Sequence, residues 1–124
     1  MNSLTGIRVV DLTASVAGPF ATQILGDLGA DVIKIERIGT GDDTRAWGPP
    51  FWQGESASFL ALNRNKRSLS VDVKTPDGRK IVRELLDTAD VFIQNLRPGA
   101  AAKLGFSREE LAKTNPGIIV CDIS

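Results

Sequence analysis

The sequence predicts a doubly wound α/β fold built on a mostly parallel, five-stranded sheet. Three observations carry this. Five short apolar runs alternate with helical segments along the chain. Most of these runs are nearly continuous in apolar residues, as strands covered on both faces are, whereas Ser68–Val73 alternates. Strands joined through a helix must also lie parallel, with the helix on one face of the sheet.

The first unit is Ile7 to Arg37. Ile7–Leu12 is a β-branched strand, and Thr13–Pro19 is a loop of small residues. Phe20, Ile24, Leu25 and Leu28 then recur with the period of one helix face, the face expected to turn inward. Gly29 is the expected left-handed stop, and Gly26 a place of close backbone approach. Asp31–Glu36 is the second strand. Between Glu36 and Ser56 about twenty residues, both tryptophans among them, show no period of their own, which marks a lid, a partner surface or a packed loop. Ser56 caps a short helix carrying Phe59 and Leu60.

Asn63–Arg67 reads as a solvated basic turn. Ser68–Val73 follows as a half-exposed edge strand with Leu69, Val71 and Val73 on one side. Thr75 and Pro76 start a helix whose buried face is Ile81, Val82, Leu85, Leu86 and Ala89. Asp90–Asn95 is the fourth strand. A short helix, Ala100–Leu104, stops at Gly105, and Ser107–Glu110 forms a capping box for another. Gly117–Ile123 is the fifth strand, with Cys121 expected as a buried core thiol. The chain ends soon after that strand, which reads as the amino-terminal part of a longer domain.

The totals narrow the chemistry. Fifteen basic residues balance fifteen acidic ones in 124, which argues against a general nucleic-acid binder. No apolar run reaches the roughly 18 residues of a membrane span, and no leader pattern opens the chain. One cysteine excludes an internal disulfide and suits the cytoplasm. There is no histidine, so no Ser-His-Asp triad, Cys-His pair or histidine metal site can form within this chain.

Ligands of doubly wound sheets bind outside the carboxyl ends of the strands. Those exits are polar here: Asp11–Ser15, Glu36-Arg37, Asp72–Lys74 and Asn95–Arg97. Converging on one edge, Arg37, Lys74 and Arg97 would form a cationic rim suited to a phosphate-bearing nucleotide; the alternative is loop-end charge facing water. A dinucleotide fingerprint is absent. The first loop has Gly18 alone where three glycines are needed, although Glu36 stands where a ribose-binding acid would.

Several ordered blocks carry a resemblance. Gly6–Thr13 followed by Ala17-Gly18-Pro19, Leu28–Glu36, Gly41-Asp42 with Thr44-Arg45, Asn63–Ser68, Val71–Lys74 with Gly78, Asp90-Val91 with Asn95, and Arg97-Pro98-Gly99 with Leu104-Gly105 resemble the amino end of class III CoA-transferases. That family includes formyl-CoA transferase, carnitine CoA-transferase and 2-methylacyl-CoA racemase. The resemblance implies a Rossmann-like domain for coenzyme A, bound as substrate with no separate cofactor and no metal. It places Val16 and Ala17 against CoA, Arg37 at its adenosine-phosphate end, and Val71 and Lys74 around adenine and a phosphate. Asn95, Leu96 and Arg97 would follow the pantetheine arm, and Lys103 replaces a frequent arginine. Ser15-Val16 departs from the Val-Gln of formyl-CoA transferase.

The resemblance further implies CoA transfer from an acyl-CoA to a small carboxylic acid, through attack by an aspartate on the thioester. The family's aspartate lies beyond the fifth strand, so no catalytic residue is expected in this chain, which alone should be inactive. An interlocked homodimer is implied for the whole protein. An acyl-CoA racemase of the same family and a non-catalytic nucleotide-binding module remain as alternatives.

Overall fold

The computed structural model describes residues 2–124. Strand β1 (Arg8–Leu12) leads through helix α1 (Ala17–Asp27) to strand β2 (Asp31–Glu36). A single 3-10 turn, Asp43–Ala46, precedes a hairpin of β3 (Phe51–Trp52) and β4 (Glu55–Ser56). Helix α2 (Ala57–Leu62), strand β5 (Lys66–Ser70), helix α3 (Pro76–Leu86) and strand β6 (Val91–Gln94) follow. Helices α4 (Ala100–Lys103) and α5 (Arg108–Ala112) precede strand β7 (Ile119–Asp122).

Five strands form one parallel sheet in the order β5-β2-β1-β6-β7. The chain builds outward from β1 to β2 and β5, then crosses back to β6 on the other side. That reversal opens a crevice at the carboxyl ends of β1 and β6. As the alternating sequence predicts, the third strand of the sheet, β5, lies at an edge, but it runs Lys66–Ser70, so two of the five residues of the expected basic turn are strand and Val71 and Val73 lie beyond its end.

The two faces differ. On one, Val10, Leu12, Ile33, Ile35 and Phe92 meet Val82 and Leu86 of α3 and Ala101, Phe106 and Leu111 around α4 and α5. Phe92 and Phe106 pack edge to face, 6.2 Å apart. On the other face the apolar cluster is small: Val9, Ala30, Val32 and Ile93, with Leu25 of α1 packed against it. On β1, β2 and β5 that face also carries Asp11, Lys34, Glu36 and Lys66.

Local chemistry fixes the helix ends. Thr75 accepts the Gly78 N–H at 3.0 Å, with Pro76 in the first turn of α3. Gly78 has no room for a side chain, since a Cβ would lie 1.8 Å from the Asp72 carbonyl. Ser56 caps α2 through the Phe59 N–H, and Ser107 caps α5 through the Glu110 N–H. Gly29 closes α1 with φ +103°, and a Cβ on Gly26 would sit 3.0 Å from the Asn65 carbonyl.

Four expectations fail. Helix α1 begins at Ala17, inside the expected loop, because proline is tolerated in a first turn whose N–H groups lack helical partners. It turns Thr22 and Gln23 inward and leaves Phe20 and Ile24 exposed, because the sheet face beneath it carries charge. In α3, Ile81 is exposed, since Gly78, Val82 and Leu86 already fill the contact row. Cys121 is exposed because β7 is an edge strand and, among the described residues, no helix covers its α1-side residues, Ile119 and Cys121. The stretch after Glu36 also has more structure than expected. Asp42 caps the 3-10 turn, and Gln53 and Gly54, both at positive φ, make the tight turn of the hairpin. Among the described residues, no helix is long and apolar enough to cross a membrane.

Candidate functional site

The carboxyl edge of the sheet holds a cavity of about 800 Å³. Its walls are the loops leaving β1, β2, β5 and β6. Arg37, Lys74 and Arg97 line it from three different strand exits. Ile38, Val71 and Leu96 give it apolar wall between those charges. Thr13 and Ala14 on one side and Thr40 to Asp43 on the other complete the lining.

Of the residues expected at a ligand, Arg37, Val71, Lys74, Asn95, Leu96 and Arg97 therefore come together. Val16, Ala17 and Lys103 lie outside the lining; Val16 and Ala17 open α1 on an exposed turn, and Lys103 is exposed at the end of α4. Arg37 is held back in the loop. Its guanidinium donates to the Gly41 carbonyl at 3.0 and 3.2 Å and pairs with the exposed Asp43 carboxylate. Lys74 and Arg97 form no ion pair among the described residues.

Asn95 works as a clamp. Its Oδ1 accepts the Ala14 N–H at 3.1 Å and its Nδ2 donates to the Ala14 carbonyl at 2.8 Å. One side chain thus matches the backbone of the β1 exit loop from across the crevice.

Under the cavity, on the α1 face, lies a buried ionic layer. Strand register sets it: Asp11 of β1 stands opposite Lys34 of β2, and Lys66 of β5 opposite Val32. Lys66 Nζ lies 3.1 Å from Asp11 Oδ2 and donates to the Pro19 carbonyl and Asn63 Oδ1. Asp11 also accepts the Thr22 hydroxyl at 2.6 Å and the Thr13 N–H at 2.9 Å. Burial pushes Lys66 down to about 8, against the pull of Asp11 and with the help of Lys34 nearby.

Lys34 Nζ donates to the Thr13 carbonyl at 3.0 Å and pairs with Asp42 Oδ2 at 2.8 Å. Asp42 Oδ1 accepts the Thr44 N–H and hydroxyl, each at 2.9 Å, and the Ser15 N–H at 3.3 Å. Burial raises the Asp42 carboxyl, but Lys34 and Thr44 outweigh it and hold it below the usual carboxylate range. Glu36 takes a two-point contact from Arg45, 2.7 Å at each oxygen, with the Asp42 N–H and the Ser68 hydroxyl. Burial opposes ionisation of Glu36, yet Arg45, Ser68 and the Asp42 N–H bring it to about 2. Arg45 stacks 3.8 Å over the Phe59 ring. The carboxylate standing where a ribose acid would is thus spent inside the protein.

Sequence reasoning missed Lys34, Lys66 and Asp42 as builders of this site. A usable signal exists: a lysine inside a strand covered on both faces needs a buried carboxylate, although the one that Lys34 takes is Asp42 of the following loop and not Asp11, its neighbour in register, which pairs with Lys66.

Residues 4–124 match the sequence profile of CoA-transferase family III. The chain is 53% identical over 124 residues to a succinyl-CoA:glutarate CoA-transferase of Mus musculus, covering 100% of this chain and 28% of that protein. It is 43% identical over 121 residues to a formyl-CoA:oxalate CoA-transferase of Afipia carboxidovorans, covering 98% of this chain and 28% of that one. A crystal structure of a CAIB/BAIF family protein from Brucella suis superposes with a TM-score of 0.93 at 47% identity, over 99% of this chain and 33% of that one. The chain thus spans about a third or less of the length of these relatives.

Proposed function

The chain belongs to CoA-transferase family III, and we propose on that premise that it binds coenzyme A and acyl-CoA as the amino-terminal part of an enzyme moving CoA between an acyl-CoA and a carboxylic acid. One observation supports this most: a single cavity at the strand exits combines Arg37, Lys74 and Arg97 with the apolar Ile38, Val71 and Leu96. CoA offers the matching chemistry, several phosphate charges beside a flat base and a long uncharged arm. The cations meet phosphate by charge-assisted hydrogen bonds, and the apolar wall takes the base and arm.

CoA is then a substrate, and the reading needs no separate cofactor. The acyl-transfer nucleophile is assigned to none of this chain's aspartates. Asp11 and Asp42 are buried and ion-paired, and a carboxylate so held is a poor nucleophile. Relatives named for succinyl-CoA with glutarate and for formyl-CoA with oxalate make short dicarboxylates the first acceptors to try.

The same reading includes a cytoplasmic location and a homodimer of the whole protein. The unpaired Cys121 supports the first. The second draws support from Phe20, Ile24, Phe51, Trp52 and Leu60, which expose apolar side chains around α1 and the β3–β4 hairpin.

Isothermal titration of the full-length protein with CoA tests the reading. CoA should bind saturably, and Arg37→Ala and Lys74→Ala should each weaken it about ten- to hundredfold, the worth of one charge-assisted phosphate contact. That loss should shrink as salt rises. Arg64→Ala, paired with Asp27 at the other end of β5, should change little. No binding by the wild type, or equal weakening by all three variants, would overturn the site.

A further inference from the structure

We propose that Lys34 is a positioning residue for the CoA cavity, acting through Thr13 and Asp42 and touching no ligand itself. The inference rests on the CoA-binding reading above and adds a residue that lies outside the cavity lining.

Lys34 is almost fully buried in the middle of the sheet. Its ammonium joins two segments that are far apart in sequence. The Thr13 carbonyl, 3.0 Å away, belongs to the loop leaving β1. Asp42, 2.8 Å away, belongs to the loop leaving β2. Thr13 and Ala14 from the first loop and Asp42 from the second line the cavity. One charge therefore fixes the spacing of two opposing walls.

The tie continues beyond the ion pair. Asp42 Oδ1 takes the Ser15 N–H, and Ser15 has φ +72°, a left-handed conformation rare for a residue with a side chain. Such a conformation persists where the surroundings over-determine it. Here Asp42 holds Ser15 from one side while Asn95 holds Ala14 from the other. Lys34 is the sole partner of Asp42 Oδ2 among the described residues. Without it that oxygen is buried beside nothing, and Asp42 must turn away or take up a proton. Loss of the ammonium frees the Thr13 carbonyl directly, while turning of Asp42 releases the Ser15 N–H and protonation weakens the acceptor that holds it.

An apolar side chain at position 34 would satisfy packing, and buried ion pairs are frequently no more stabilising than apolar replacements. What an apolar side chain lacks is direction. An ammonium with fixed acceptors specifies where two loops stand.

Lys34→Met tests this, with CoA titration beside amide hydrogen exchange. The expected result is at least tenfold weaker CoA binding. Exchange at Ser15 and Thr44 should quicken by at least tenfold, while Val10 and Phe92 in the sheet keep their protection. A merely structural residue would lower protection throughout and leave the affinity of the folded protein unchanged. Should Lys34→Met not fold, Lys34→Met/Asp42→Asn leaves no lone buried charge and takes the same measurements with the same expected outcome. CoA affinity within twofold of wild type in a folded variant would overturn the proposal, as would loss of sheet protection in both. Failure of the wild type itself to bind CoA would instead overturn the CoA reading, and the Ser15 and Thr44 exchange would still report on the clamp.

Discussion

Helices α3 to α5 and helix α1 cover opposite faces of the same strands with opposite chemistry. On the α3 side, Val10, Leu12, Ile33, Ile35 and Phe92 pack into one apolar cluster with the helices above them. On the α1 side, the alternate residues of β1 and β2 include Asp11, Lys34 and Glu36, and Lys66 of β5 joins them; all four side chains are buried and ion-paired, Glu36 with the partly exposed Arg45. Apolar contact is non-directional, so the first face holds the domain together without specifying its loops. Charge-assisted hydrogen bonds are directional, and those of the second face end on the backbone of the loops that wall the cavity. The comparison separates stability from site geometry.

The largest effect comes from removing one charge of a buried pair. Asp11→Ala leaves Lys66 buried without its partner and should cost about 3–5 kcal/mol in urea unfolding. Asp11→Asn/Lys66→Met, which removes both charges, should recover more than half of that loss. Phe92→Ala on the apolar face should cost a similar 3–5 kcal/mol by leaving a cavity, and no second deletion around it should restore anything. If the Asp11–Lys66 pair behaves like Phe92, with losses that only add, the two faces do not differ in kind.

Titration sharpens the same contrast, because only the α1 face carries buried ionisable groups. Lys66 is lowered to about 8 from its ordinary 10.5, so between those values the unfolded chain binds more protons than the folded one. Stability contributed at this site should rise as pH climbs from 8 to 10.5. Glu36 has the opposite window: lowered to about 2 from 4.5, its contribution is present above 4.5 and lost as pH falls toward 2. Either shift corresponds to roughly 3 kcal/mol. Unfolding midpoints across pH check both, and the alkaline rise should vanish in Asp11→Asn/Lys66→Met.

Helix ends give a smaller effect. Helix α3 is capped by Thr75, whereas α1 starts at Val16 with no side-chain cap. Thr75→Ala should cost about 1 kcal/mol. Val16→Ala should cost less than half of that if tertiary contacts from Asp42, Asn95 and Lys66 hold the start of α1 in place of a cap. Thermal unfolding of the two variants decides it.

The smallest effect concerns the exposed rim. Asp43 pairs with Arg37, and both side chains are more than half exposed. Asp43→Asn should leave stability within about 0.5 kcal/mol, as for most surface pairs. It should tighten CoA binding two- to fivefold by freeing the guanidinium. Weaker binding would show that Asp43 helps to hold Arg37 in a productive position.

Much of this was legible in the chain. Asp31–Glu36 reads as a strand and is one, residue for residue, because the β-branched Val32, Ile33 and Ile35 between a glycine stop and a glycine-rich turn leave few alternatives. Thr75-Pro76 starts α3 where the capping chemistry says it should. The cations at the strand exits could be gathered onto one cavity before any coordinates, because parallel strands with helical crossovers send all their exits to one edge. Helix α1 departs from its expected orientation for an equally definite reason. Periodicity shows which residues share a face and predicts the apolar one as the inner one, but Phe20 and Ile24 point outward.

The sequence by itself determined the order of the elements, their parallel direction and most of their ends, because these follow from periodicity, chirality and capping within a few residues. Only the tertiary structure decided that Lys66 is buried and Cys121 exposed, that Lys34 ties Thr13 to Asp42, and that Asn95 grips Ala14 from 81 residues away. Whether a charge is solvated or a thiol covered depends on what stands opposite in register and what packs above. That is settled by strand order and by which helix lies over which strand, and neither is written in the residue's own neighbourhood.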